Sequence, residues 1–239
     1  MNTMQVTPKK AETIRHMFGE VAPRYDLLNT VLSLGIHHLW RKKLVRWSGV
    51  KAGDRVLDCA SGTGDLAFEF ERNLGTSGQV IGTDFCEPML IHARAKAVKS
   101  GSRAQFDVAD VTQLPFESNS FDLASISFGI RNVNDPQKGL SELGRVVRSG
   151  GAVMVLEFGQ PQIPVFSGFY RFYSNNILPR IGGLIAGQRQ AYDYLQKSSA
   201  QFPCRDNFLK LAESTGMFST LEYRPVSGGI AYIYKLTRK

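Results

Sequence analysis

The chain has 239 residues, 43% of them hydrophobic, and a formal net charge of +8. That supports one large α/β domain with a sizeable core and excludes disordered and fibrous classes. Cys59, Cys86 and Cys204 make no CxxC pair, and Cys and His never cluster at ligand spacing, so a reducing cytoplasmic setting is expected, with no disulfide framework and no metal.

Residues Met1 to Lys10 lack the apolar stretch of a signal peptide. No window approaches the roughly 20 apolar residues that span a bilayer, so any membrane contact is expected to be peripheral. From about residue 10 to 48, Ile14, Met17, Phe18 and Val21, then Leu27, Leu28, Val31, Leu32 and Leu34, recur at helical spacing. Adjacent His37 and His38 cannot share one helix face, so one packed and one solvated histidine is the expected arrangement.

From Lys51 the pattern becomes strand and helix in alternation. Arg55 to Asp58 is a strand, Leu66 to Leu74 a helix, Gln79 to Thr83 a strand, and Glu87 to Lys99 a helix with proline in its first turn. Phe106 to Ala109 and Phe121 to Ser127 are strands, Gln137 to Val147 a helix stopped by Ser149-Gly150-Gly151, and Ala152 to Phe158 a fifth strand. Apolar strands alternating with helices predict a doubly wound parallel sheet, with its ligand crevice beyond the carboxyl ends. Residues 160 to 200 break the alternation with Phe166, Phe169, Tyr170, Phe172 and Tyr173, which predicts a helical insertion or lid. A helix from Arg205 to Ser214 and two strands, Phe218 to Arg224 and Gly229 to Leu236, close the domain.

The loop Asp58-Cys59-Ala60-Ser61-Gly62-Thr63-Gly64-Asp65 is where cofactor chemistry is expected. Gly62 and Gly64 let the backbone approach a ligand, though Gly62 to Ala67 also fits a dinucleotide variant. Carboxylates at Asp58 and Asp65 would repel a pyrophosphate and welcome a sulfonium and an ammonium group. Asp84 falls about 20 residues past the glycines, where a carboxylate accepts both ribose hydroxyls. Asp110 and the Val111 amide are placed to read an adenine edge, although a turn residue explains Asp110 as well. Ser127 ends the fourth strand, beside the expected methyl donor.

The chain resembles the UbiE/COQ5/MenG family of quinone-biosynthesis C-methyltransferases. The likeness rests on the run from Phe18 to Asn29 with Tyr25-Asp26, on Leu34 to Arg41, on the glycine loop, on Leu114-Pro115-Phe116, on Ile126 to Val133 with Phe128-Gly129-Ile130-Arg131-Asn132, on Val155 to Phe158 and on Leu178 to Gly182. It covers roughly residues 12 to 237. It departs at Cys59-Ala60-Ser61, where many relatives carry a second glycine, and at Asp110, where some carry Asn.

The resemblance implies a Rossmann-like, seven-stranded class I methyltransferase fold that uses S-adenosyl-L-methionine. The single domain then divides into an N-terminal helical cap (10–48), a cofactor-binding core (51–158), a helical insertion (160–200) and a C-terminal helix with a strand pair (205–239). It implies methylation of a ring carbon of a polyprenyl benzoquinol or naphthoquinol. Arg131 is then the expected catalytic position, stabilising a phenolate or orienting a water, with Asn132, Tyr25 and Asp26 completing the site. For Tyr25-Asp26 a capped helix boundary, and for Asn132 a turn, are the structural alternatives. The Phe166 to Tyr173 stretch, with Arg171, Arg180 and Arg189, suits a greasy substrate and peripheral membrane contact at the inner face, or ordinary core packing. A homodimer is compatible with the sequence. Nucleic acid is not an expected partner, since no basic stripe interleaves with aromatics. An RNA or other small-molecule methyltransferase, or a non-catalytic subunit, are the alternatives.

Overall fold

The computed structural model describes residues 8–160 and 189–239. Three helices come first: α1 (Pro8–Val21), α2 (Tyr25–Leu32) and α3 (Ile36–Ser48). The core follows as β1 (Arg55–Cys59), α4 (Asp65–Leu74), β2 (Gln79–Asp84), α5 (Glu87–Ser100), β3 (Gln105–Val108), β4 (Phe121–Ser127), α6 (Pro136–Val146) and β5 (Val147–Phe158). After the undescribed stretch come α7 (Arg189–Gln201), α8 (Asp206–Glu213), β6 (Phe218–Val226) and β7 (Ala231–Arg238).

The seven strands lie in the order β3-β2-β1-β4-β5-β7-β6. The first five run parallel; β7 pairs antiparallel with both β5 and β6. This is a doubly wound, Rossmann-like sheet of seven strands, the architecture that the resemblance implies. Side chains alternate across it, as the two-residue strand period demands. Val56, Met154 and Leu156 face one core with Trp40 and Leu44 of α3, Phe70 of α4 and Leu90 of α5. Leu57, Val153 and Val155 face the other, with Leu140 and Leu143 of α6 and Phe208 of α8. The chain leaves β1 towards β2 on one side and has β4 on the other, so the crevice opens between the ends of β1 and β4.

One boundary differs from expectation. The Ser149-Gly150-Gly151 run does not stop α6; β5 already begins at Val147, opposite Phe121. Pairing then jumps to Leu123 and Ala152, so residues 148 to 151 form an irregularity within the strand. Gly150 takes φ +74°, and a Cβ on Gly151 would sit 2.5 Å from the Asp122 carbonyl oxygen. The glycines serve a close backbone approach rather than a helix terminus. The expected insertion is described only from Arg189 onward, where α7 runs; Phe166 to Tyr173, Arg171, Arg180 and the Arg189 side chain lie outside the described residues.

Candidate active site

The cleft lies over the carboxyl ends of β1, β2 and β4. It is lined by Tyr25, Ala60, Gly62, Asp84, Ser127 and Asn132, with Phe18, Phe85, Met89, Phe128 and Gly129. A larger hollow lies at the amino end of the sheet, around Lys51, Asp54, Asp122 and Arg148. Its carboxylates are already committed, Asp122 to Arg148 and to the Arg55 amide, and Asp54 to the Lys51 amide. A doubly wound sheet binds ligands at the other end, so the smaller cleft is the candidate site.

Its floor is strained backbone. Ala60 (φ +50°) and Phe128 (φ +56°) hold left-handed conformations that non-glycine residues rarely adopt, one at the end of β1 and one at the end of β4. A Cβ on Gly129 would lie 2.4 Å from the Ala60 Cβ, so only glycine lets the two loops meet. Gly62 is left-handed too, with Tyr25 and Met89 closing over it. Gly64 serves packing instead, since a Cβ there would press on Phe106 at 2.7 Å.

Asp84 is held by its own turn. The Gly62 amide donates to one carboxylate oxygen and the Cys86 amide to the other, each at 2.9 Å. Burial dominates these bonds and pushes its pKa up to about 6. Asp58, on β1, is 1% exposed. Ser125 donates to its Oδ1 at 2.6 Å, while Oδ2 is buried without a partner. Burial raises its pKa to about 7. The hydroxyls of Ser61 and Ser127 are also buried and unpartnered. A buried bare oxygen costs roughly 1–3 kcal/mol, so these acceptors suit a ligand that brings donors and positive charge. The set of acceptors therefore fits an adenosine cofactor carrying a sulfonium. Asp110 is used locally, its Oδ1 accepting from the Thr112 amide and hydroxyl at 2.8 and 2.9 Å. Val111 packs into the second core beside α6.

Outside the loop, the charges are arranged differently from expectation. Asp65 does not offer a bare negative charge: Arg41 reaches it at 2.8 Å and Lys96 at 2.6 Å. Burial works to raise its pKa, but Arg41 and Lys96 outweigh it and the net shift is downward. Lys96 also binds Asp26 at 2.8 Å, and the Thr63 hydroxyl donates to Asp26. The loop has no lysine or arginine of its own, and α3 and α5 bring two cations to it. Asp26 and Thr63 tie α2 to the loop from outside. His37 is buried and His38 exposed; burial lowers the His37 pKa to about 4, and Ser33 bonds its Nδ1. Ring atoms of both come within 4.8 Å of Asp65, but Arg41 and Lys96 already supply the cations there.

The acceptor side is built on β4 and β5. Arg131 donates from Nη1 to Glu157 and to the Phe128 carbonyl, both at 2.7 Å. Its side chain is 5% exposed and that of Glu157 2%. The guanidinium lies over the Phe158 ring, which stacks near Phe128 and Trp40. Asn132 faces the cleft, and Tyr194 of α7 donates to its Oδ1 at 2.9 Å. Burial raises the Tyr25 pKa against the pull of Asn29, Arg41 and Arg131, so its phenol stays protonated and acts as a donor.

The structure thus gathers Tyr25, Gly62, Asp84, Ser127 and Asn132 around one space, with Asp58 beneath it and Arg131 behind Phe128. Glu157 and Tyr194 were missed as functional residues. An acidic residue four places past Val153 in an apolar strand was a usable signal for Glu157; nothing in the sequence linked Tyr194 to a residue 62 places away.

The profile of the ubiE/COQ5 methyltransferase family matches residues 5–238. A Ubiquinone/menaquinone biosynthesis C-methyltransferase UbiE from Bdellovibrio bacteriovorus is 63% identical over 228 residues, covering 95% of this chain and 97% of its own length. A protein of the same name from Geobacter sp. (strain M21) is 44% identical over 237 residues, covering 98% and 100%. Among solved structures, a SAM-dependent methyltransferase from Aquifex aeolicus superposes with TM-score 0.60 at 17% identity, over 83% of this chain and 89% of that one.

Proposed function

The chain belongs to the ubiE/COQ5 methyltransferase family, and from that premise we infer that it is an S-adenosyl-L-methionine-dependent C-methyltransferase of ubiquinone or menaquinone biosynthesis, acting on a polyprenyl quinol. When bound, the cofactor supplies an electrophilic methyl group on a positive sulfur. The observation that carries the site assignment is the single cleft shared by Asp84, Ser127, Tyr25 and Asn132.

In this reading Asp84 accepts the ribose hydroxyls, its carboxylate oriented by the Gly62 and Cys86 amides. Asp58 and Ser127 meet the positive part of the cofactor with buried oxygens that have no other partner. Asp110 and Val111 take the adenine edge, Asp110 with the carboxylate oxygen that Thr112 leaves free. The glycine loop lets Gly62 approach closely, with Ser61, Thr63 and Gly64 fixing its shape.

A quinol carbon becomes nucleophilic as its neighbouring hydroxyl passes its proton to a water in the cleft. The Arg131 guanidinium, bonded to the carbonyl of the cleft residue Phe128, stabilises the phenolate that forms. Glu157 holds the guanidinium by an ion pair at 2.7 Å and, as a buried carboxylate, is the group through which Arg131 is positioned. Tyr25 donates to the acceptor oxygen. Asn132 orients the ring, and Tyr194 fixes its amide by occupying Oδ1, which turns the NH2 group elsewhere. Asp26 acts at one remove, by tethering α2 and so Tyr25 to the loop. Phe18, Phe85, Met89 and Phe128 line the cleft and give the acceptor an apolar wall, which keeps water from competing for the methyl group.

Transfer of a labelled methyl group from S-adenosylmethionine to a reduced demethylated quinol tests the reading. Transfer to neither benzoquinol nor naphthoquinol acceptors would sink it.

A further inference from the structure

We propose that the corner between α2 and α3 is a docking face for an anionic lipid bilayer. The choice of a bilayer rests on the quinol reading, since a polyprenyl tail dissolves in lipid.

Four large apolar side chains stand exposed at this corner: Leu27 (55%), Leu34 (73%), Ile36 (36%) and Leu39 (57%). Single exposed leucines are ordinary, but four within thirteen residues on one helical corner are not. Leu34 adds a second observation. It sits at the turn with φ +51°, just before Gly35 at φ +74°. A left-handed position favours glycine or asparagine, and this one holds a leucine whose side chain packs little against its own protein. The fold has no use for that side chain, so its use lies outside the fold.

The charge on the same surface selects the occupant. Along α3 the buried face is His37, Trp40, Arg41, Leu44, Val45 and Ser48. The exposed face runs from Ile36 and Leu39 to Lys42, Lys43 and Arg46. These three cations form no ion pair with any described residue, and no acidic residue occurs between Leu27 and Gly53. At 1.5 Å per residue, Lys42 and Lys43 lie about one helical turn, ~5 Å, beyond Leu39. An apolar tip with cations one turn above it matches the boundary between acyl chains and anionic headgroups. A second copy of the chain would bring the same cations against these, and like charges repel.

The same helix reaches the site. Tyr25, two residues before Leu27 on α2, lines the cleft, while Leu27 stands on the opposite side of that helix, 55% exposed. A tip seated in lipid therefore holds the cleft about one helix diameter, ~10 Å, from the phase that holds the substrate. No described helix is long and apolar enough to cross a membrane, so the contact is superficial.

The test uses the full chain with phosphatidylcholine vesicles and with vesicles of equal parts phosphatidylcholine and phosphatidylglycerol, separated by sedimentation. Binding is expected on the anionic vesicles, falling steeply with salt. Leu34→Glu with Leu39→Glu should lower it by at least about tenfold, and Lys42→Glu or Lys43→Glu by about fivefold each. Leu34→Gly relieves the backbone, so folding is kept while binding falls. Turnover of a tailless quinol should match the parent in all of these, while turnover of a tailed quinol in anionic vesicles drops with binding. The proposal is overturned if the parent chain stays in the supernatant, or if the leucine variants bind as the parent does. It is also overturned if Leu34→Glu with Leu39→Glu splits a dimer on a sizing column, since the face would then meet a second copy. Methyl transfer to the tailless quinol reports on the quinol reading alone, so the two fail separately.

Discussion

Outside the glycine loop, Asp26 and Asp65 share Lys96, and Asp65 also takes Arg41. Inside it, Asp58 keeps one buried oxygen without a partner, and so does the Ser127 hydroxyl. The same short stretch of chain divides two treatments of polar atoms. The outer side is satisfied and binds the N-terminal helices to the core. The inner side is left wanting, and in the proposed reading a ligand bearing donors and positive charge recovers what burial has cost. On that reading stability comes from one side and affinity from the other.

The strictest check on pairing is the buried Arg131–Glu157 couple. Arg131→Ala strands a carboxylate that is 2% exposed, and a loss of about 3–5 kcal/mol is expected in urea unfolding. Arg131→Met with Glu157→Leu should regain most of that stability without regaining methyl transfer. Parent-like unfolding of the single variant would show that the ion pair does not govern the fold.

Asp58→Asn probes the inner side. The folded pKa, about 7, lies above the ordinary carboxylate value of 3.8. The cost of burying it therefore grows as pH rises from 3.8 to about 7, is complete above 7 and is absent below 3.8. At pH 8 without cofactor the variant should be more stable than the parent by roughly 1–3 kcal/mol, an advantage that fades as pH falls. Its cofactor affinity should drop by about tenfold or more, read by calorimetry. In the parent, affinity should weaken as pH falls below 7. An asparagine that binds cofactor as well as the parent removes Asp58 from the contact set.

Lys96→Met probes the outer side. Arg41 keeps Asp65 paired, and Lys96 is 31% exposed, so about 1 kcal/mol of stability is expected to go. The lowered Asp65 pKa contributes stability that is present above the ordinary value and lost as pH falls through the folded one, so the acid limb of unfolding should move to higher pH. Cofactor affinity should hold; a matching fall would merge the two sides into one. The smallest effect is expected from Tyr194→Phe, which removes one hydrogen bond to Asn132. A loss of about 1 kcal/mol is about fivefold in kcat, with cofactor Kd unchanged. A shift in Kd instead would make Tyr194 part of the cofactor site.

The strands and helices of the core were legible because their apolar periods are strong, and Asp84 and Ser127 because strand ends mark the crevice. The start of β5 was misread, since a glycine pair signals a helix stop and a strand irregularity alike. The partners of Asp65 were not readable: Arg41 is 24 residues before it and Lys96 31 after it. Helix periodicity says which face of α3 or α5 is buried, but not which loop that face meets. Tyr194 was hidden for the same reason, lying on a helix whose docking depends on the whole sheet.

The strand order sets a timetable for making the protein. β6 precedes β7 in the chain, yet β7 lies between β5 and β6 and is the strand to which β6 pairs. As the ribosome releases β6, the edge open to it is that of β5, the place that β7 takes; β6 must wait for β7 to be synthesised and paired with β5. Until then Val153 and Val155 of β5 border an unfilled slot, and a nascent chain paused there presents a greasy seam to chaperones.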